Sequence, residues 1–213
     1  MSEDAVWAVI DHERLSLADL LEDLSAEEWV HPSLCSGWRV CDVAAHLALA
    51  HTGPARVALG MVQARGNFAR MIADTARRHA TGSQRQVTTE IRAMAGSRRR
   101  AAGVSYLEPL VDVLVHGQDI AVPLGRARPM PVEAAATAAT RVWTMPWPLS
   151  TAFQARARLS GLELVATDID WSVGEGARVE GPIEALLLLL TGRMAGLGKL
   201  SGTGVGRLSP AGR

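Results

Sequence analysis

Through the first three-quarters of the chain apolar residues recur every three or four positions; in the last quarter they alternate. The first pattern is that of helices with one buried face, the second that of half-buried strands. Val6, Val9, Ile10, Leu15, Leu17, Leu20 and Leu21 predict an opening helix. Ser25 followed by Glu28 is a capping-box pattern that starts a short turn through Trp29. "LCSGW" (34–38) reads as a loop broken by Gly37, with Trp38 as a core anchor. A long helix is predicted from about Val40 to Leu59, bent near Gly53-Pro54. Further helices are predicted over Asn67–His79, Gln84–Ala95 and Leu107 to about Val122, the third preceded by the polar break "MAGSRRRAAG". Pro123 and Gly125 end that third helix, and Pro131 opens another.

The pattern changes at "VWTMPWPLS" (142–150), a connector rich in proline and tryptophan. Beyond it, Leu162, Leu164 and Ala166 fall on one face of a strand. "GEGARVEG" is turn chemistry around a second short strand, and "PIEALLLLLTGR" is a buried helix from Pro182 to about Gly192. These elements predict a helical bundle over residues 1–145 and a small α+β unit over 151–213.

Composition narrows the function classes. Hydrophobic residues make up 48% of the 213, which supports a real core. Lysine plus arginine number 22 and aspartate plus glutamate 22, so the basic excess of a nucleic-acid binder is absent. The cluster Arg98, Arg99, Arg100 reads as a solvated helix end. The opening "MSEDAVWAVIDHERLSL" lacks the basic start and apolar run of an export signal, and "ALLLLL" is far short of a membrane span. A cytoplasmic protein is expected, with Cys35 and Cys41 as free thiols and no nucleic-acid or membrane partner.

One helix carries chemistry that its burial does not explain. In "VDVLVHGQDIAVPLG" (111–125), Asp112, His116 and Asp119 interrupt an apolar run. Four residues rotate a helix by about 40° and seven by about 20° the other way, so the three share one narrow face. Helical bundles build metal sites from such inward residues on facing helices. His46 in "VCDVAAHLALAH" is the candidate from another helix, since Val43, Leu47 and Ala50 put it on the core side. His51 lies about 140° around from it. Spacing alone leaves other readings open. Asp112 with His116, or Asp42 with His46, could be simple helical pairs. Cys35 and Cys41 have a poor zinc spacing and read as apolar thiols.

"LCSGWRVCDVAAHLA" together with "VDVLVHGQDIAVPLG" resembles the mycothiol-dependent maleylpyruvate isomerase family, within the DinB-like metalloenzymes. "LVATDIDWSVGEGARVEGPIEALLLLLTGR" is similar to that family's C-terminal domain, so the resemblance runs nearly full length. It implies a mainly α protein, a DinB-like antiparallel four-helix bundle followed by a small C-terminal α+β domain. It also implies a divalent ion, usually zinc, on His46, Asp112 and His116, with Asp112 where the characterised isomerases carry glutamate. Asp119 would orient a ligand from behind or serve as a helix-end residue. Arg193 would hold a substrate carboxylate or act as a helix-end cation. The implied activity is a mycothiol-dependent isomerase or S-transferase for a small electrophile, the ion holding the cosubstrate as thiolate. The same ligands would also suit a metal-dependent hydrolase or a non-catalytic metal-binding protein.

Overall fold

The computed structural model describes residues 1–51, 53–100 and 104–208, with the backbone alone for 54–58. Residues 101–103 of the polar break and 209–213 of the C-terminal unit lie outside the described residues. The chain divides into two units, Ser2–Arg128 and Pro129–Arg213, the latter joined by Met1.

Helices of the first unit begin where the sequence offers caps. α1 (Glu3–Glu22) starts behind Ser2, whose hydroxyl accepts from Ala5 N. α2 (Ala26–Trp29) carries the capping box of Ser25 and Glu28 and buries Trp29. α3 (Val40–Ala48) opens at Arg39, whose backbone N–H and guanidinium both donate to Asp42. The long helix expected here is in fact two. α3 passes through a 3-10 turn at Leu49–His51, and α4 (Pro54–Gln63) starts afresh after Gly53. Pro54 has no N–H to continue a helix but fits a first turn, so the expected bend is a full break. α5 (Phe68–His79) and α6 (Gln84–Arg92) are capped by Asn67 and Ser83. α7 (Leu107–Ala121) is the helix with the polar face.

α1, α3, α6 and α7 pack as an antiparallel four-helix bundle, with α5 laid against α3. Leu17 and Leu21 of α1, Val40, Val43, Ala44 and Leu47 of α3, Val87 and Ile91 of α6, and Ile120 of α7 share one core. A buried ion pair braces it. The Arg128 guanidinium donates to the Glu13 carboxylate at 2.6 Å, to Glu13 O at 2.8 Å and to Ser16 Oγ at 3.0 Å. Arg128 reaches α1 across α7 at Gly117, where a Cβ would lie 2.7 Å from its Nε. Glycine inside a helix costs about 1 kcal/mol relative to alanine, and here it opens the path for that arginine.

The second unit contains α8 (Val132–Thr144), short α9 (Ala155–Arg158), a three-stranded sheet and α10 (Ile183–Leu190). In the sheet, β1 (Leu162–Ala166) lies between antiparallel β2 (Ser172–Gly174) and parallel β3 (Ala177–Gly181). Leu162, Leu164 and Ala166 face inward, as the alternation predicts. Crossing from β2 to β3 takes only Glu175 and Gly176. Both Gly174 and Gly176 have positive φ, and a Cβ on either would strike the carbonyl oxygens of Leu162 or Gly161. α10 packs on α8 and the sheet, and Arg158 donates to Leu189 O and Leu190 O at its C-terminal end. No helix among the described residues is long and apolar enough to cross a membrane.

Glu13→Ala should destabilise the protein by about 3–5 kcal/mol, because it strands a buried guanidinium. Adding Arg128→Met should restore much of that loss. Urea denaturation of the two variants beside the wild type measures both effects.

Candidate metal centre

Two helices and one loop supply the polar groups. α3 carries His46, α7 carries Asp112, His116 and Asp119, and the loop between α2 and α3 carries Cys35. That loop is closed on itself. Ser33 N and Ser33 Oγ each donate to Trp38 O at 2.9 Å, and Trp38 N donates to Cys35 O at 3.0 Å. The turn needs a positive φ at residue 37 (74°), which glycine supplies without strain. Leu34 N then donates to Asp119 O at 3.1 Å, which docks the loop on the last turn of α7.

Asp119 is fully buried and sits at the junction. Its Oδ2 accepts from His116 Nδ1 at 2.8 Å and from Cys35 Sγ at 3.0 Å. Cys35 Sγ lies 3.8 Å from His116 Nδ1. On the other side, the His46 and His116 ring centroids are 5.0 Å apart at 81°. Trp38 stands edge-on to His46 with centroids 5.7 Å apart.

The two imidazoles hold protons very differently. Burial, and then the neighbouring His116, pull His46 down to about 3, so its ring is neutral at physiological pH. Burial pulls on His116 as well. Hydrogen bonds to Asp119 and Cys35 and the charges of Asp119 and Asp112 outweigh it and push His116 up to about 10.

The structure thus brings His46, His116 and Asp119 together, with Asp112 near enough for its charge to act on His116. Asp42 turns back onto Arg39 and pairs with that guanidinium at the start of α3. His51 stands in the 3-10 turn beyond α3, with Arg14 and Arg99 as charged neighbours. Arg193 belongs to the second unit, where its Nη1 donates to Thr191 O at 2.7 Å just beyond α10. Cys35 is the residue that sequence reasoning passed over. Its partners lie more than 80 residues away, and its spacing from Cys41 pointed to nothing.

Which of these groups could hold an ion is a matter of distances. Candidate ligand atoms of Cys35, His116 and Asp119 all lie within 4.8 Å of one another. A tetrahedral zinc spaces nitrogen and oxygen ligands about 3.3 Å apart, and sulfur from either about 3.6 Å. The Nδ1–Oδ2 and Sγ–Oδ2 separations of 2.8 and 3.0 Å are shorter than that and are hydrogen-bond lengths. The trio could hold an ion only by giving up both bonds and opening. The His46 and His116 centroids, 5.0 Å apart, stand near the roughly 5.2 Å of two imidazoles on one tetrahedral ion, a separation that edge-to-face ring packing also gives. His116 Nδ1 is engaged by Asp119, so Nε2 is the nitrogen that could ligate.

An open depression of about 390 Å³ in the second unit shares no residue with this cluster. Its Thr137 and Thr140 hydroxyls donate to carbonyls of their own helix, so it offers little chemistry.

Comparison with known proteins agrees with this architecture. Residues 10–105 match the family model of the mycothiol maleylpyruvate isomerase N-terminal domain. Two solved structures share the fold: a mycothiol-dependent maleylpyruvate isomerase and a histidine-to-alanine mutant of a mycothiol-dependent maleylpyruvate isomerase. Each is 12% identical with a TM-score of 0.65, over 95% of this chain and 93% of that one. No curated protein matches by sequence. The fold is the DinB-like bundle with a small α+β unit, and resemblance to mycothiol-dependent maleylpyruvate isomerase runs over nearly the whole chain at low identity.

In the metal-free protein, proton NMR should find His116 titrating near 10 and His46 near 3. Asp119→Asn removes a charge that raises His116 and leaves only a neutral acceptor for its Nδ1, so its pKa should fall as burial takes over.

Proposed function

We propose that this chain, matched to a mycothiol maleylpyruvate isomerase domain over residues 10–105, is a divalent-metal-dependent enzyme that uses mycothiol on a small electrophile. The observation that carries the reading is the His46–His116 pair. Its 5.0 Å centroid spacing suits one ion, one ring is neutral, and the other's Nδ1 is engaged by Asp119. The ligands are His46, Asp112 and His116, and zinc suits two imidazoles and a carboxylate in an open tetrahedral set.

A divalent ion with a vacant position would bind the cosubstrate's thiol and lower its pKa, so that sulfur arrives as thiolate. The chain's own residues prepare that position. Asp119 accepts from His116 Nδ1 and so fixes the ring's tautomer and orientation. Trp38 covers the His46 ring edge-on and limits its rotation. Asp112, one methylene shorter than glutamate, keeps its carboxylate close to α7, where its charge favours a cation beside His116. Addition of a thiolate to an activated double bond, followed by rotation and elimination of the thiolate, isomerises the electrophile; addition followed by protonation of the resulting carbanion from solvent gives a conjugate. The free thiols of Cys35 and Cys41 suit a reducing, cytoplasmic compartment.

Purified wild type should carry about one ion per chain, with almost none in His46→Ala or His116→Ala. Mycothiol titrated calorimetrically should bind the metal-loaded protein and not the chelated one. A loaded protein that hydrolyses esters or amides without any thiol would replace this reading with the hydrolase. A protein that takes up no ion when metal is supplied would end it.

A further inference from the structure

We propose that the loop Ser33–Trp38 is the clamp that holds both histidines in register, and that Cys35 is the positioning residue closing it on the His116 side. The inference rests on the metal reading above, and it concerns a cysteine to which that reading gives no part. One short loop touches both rings by different means. At one end Trp38 meets His46 edge-on, with centroids 5.7 Å apart. At the other end Cys35 Sγ donates to the same Asp119 oxygen that receives His116 Nδ1. Between them the loop is held by Ser33 on Trp38 O and docked by Leu34 N on Asp119 O.

Cys35 has a specific task in this arrangement. Asp119 is fully buried, and a buried carboxylate needs several donors to stay in place. His116 gives one hydrogen bond to Oδ2, and each further donor on that same oxygen narrows the range of its χ2 torsion. The second donor, Cys35 Sγ at 3.0 Å on the same oxygen, fixes where Oδ2 stands. With Oδ2 fixed, the His116 ring is fixed, and Nε2 points at one place. The chain is Cys35 to Asp119 to His116, so Cys35 acts through the carboxylate and does not touch the ion. Outer hydrogen bonds of this kind typically contribute 10–100-fold to metal affinity.

The rival is that Cys35 itself becomes a ligand, the trio opening to take an ion between sulfur, Nδ1 and Oδ2. The short separations within the trio argue against it, and cobalt distinguishes the two. A thiolate bound to Co²⁺ gives an intense near-ultraviolet charge-transfer band that nitrogen and oxygen ligands lack.

The experiment measures Co²⁺ and Zn²⁺ affinity of the full chain by competition with a chromophoric chelator, for wild type, Cys35→Ala and Cys35→Ser. Absorption spectra and thermal melts of the metal-free forms accompany it. The expected result is no thiolate band in wild type, with affinity 10–100-fold weaker in Cys35→Ala. Cys35→Ser, whose hydroxyl can still donate to Asp119, should recover most of that loss, and metal-free melting should not track the order of affinities. A thiolate band that vanishes in both variants would overturn the positioning role and make Cys35 a ligand. Equal affinities in all three proteins would overturn it as well, leaving the histidine site intact. Absence of ion binding in wild type would instead strike the metal reading on which both depend.

Discussion

The hydrogen bond from His116 Nδ1 to Asp119 Oδ2 is the contact on which the candidate centre depends. An imidazole on an apolar helix can present either nitrogen, and its ring can flip. A carboxylate three residues on removes both freedoms, because it lies on the same helical face about 60° away. The cost is a buried charge, which the protein offsets by giving Asp119 a second side-chain donor and by using its backbone carbonyl as the docking point for the preceding loop. The same residue therefore orients a ring and locks a loop. The loop in turn leads into α3, and its Trp38 stands edge-on to His46.

The four residues of "HGQD" show how closely this is tied to the fold. Each step rotates the helix by about 100°, so successive side chains address different neighbours. His116 faces His46, while Gly117 leaves room for Arg128 to cross toward Glu13. Gln118 donates to the carbonyl of that same Arg128, and Asp119 returns to His116 and Cys35. One turn of α7 thus joins the candidate site to the brace that holds α1.

Much of this was legible in sequence, for identifiable reasons. The start of α2 is readable because Ser25 and Glu28 act through local bonds that spacing reveals. The shared face of Asp112, His116 and Asp119 was readable because helical geometry fixes it. The break between α3 and α4 is sharper than the bend that Gly53-Pro54 predicts, because proline lacks the amide that a continuing helix must donate. Division of the chain after Arg128 left no compositional mark, because α8 has the same alanine-rich helical pattern whichever unit it packs in. The place of Cys35 is illegible in sequence because its side-chain contacts are with residues 81 and 84 positions away, and no periodicity spans that distance.

Charge gives a separate reason for the pattern of acids and imidazoles. Without metal, His116 holds its extra proton against the carboxylates of Asp112 and Asp119, while His46 stays neutral. One cation against two anions leaves the cluster with one net negative charge in a partly desolvated place, a condition that favours a cation. On the proposed reading, a divalent ion replacing the His116 proton would bring the same groups to neutrality, and an incoming thiolate would meet no excess of negative charge. A further carboxylate beside the ion would repel that sulfur, and one carboxylate fewer would leave the metal under-compensated. Two acids with two histidines, one of them kept neutral by burial, is a composition that, with a divalent ion bound, would let a small anionic cosubstrate approach.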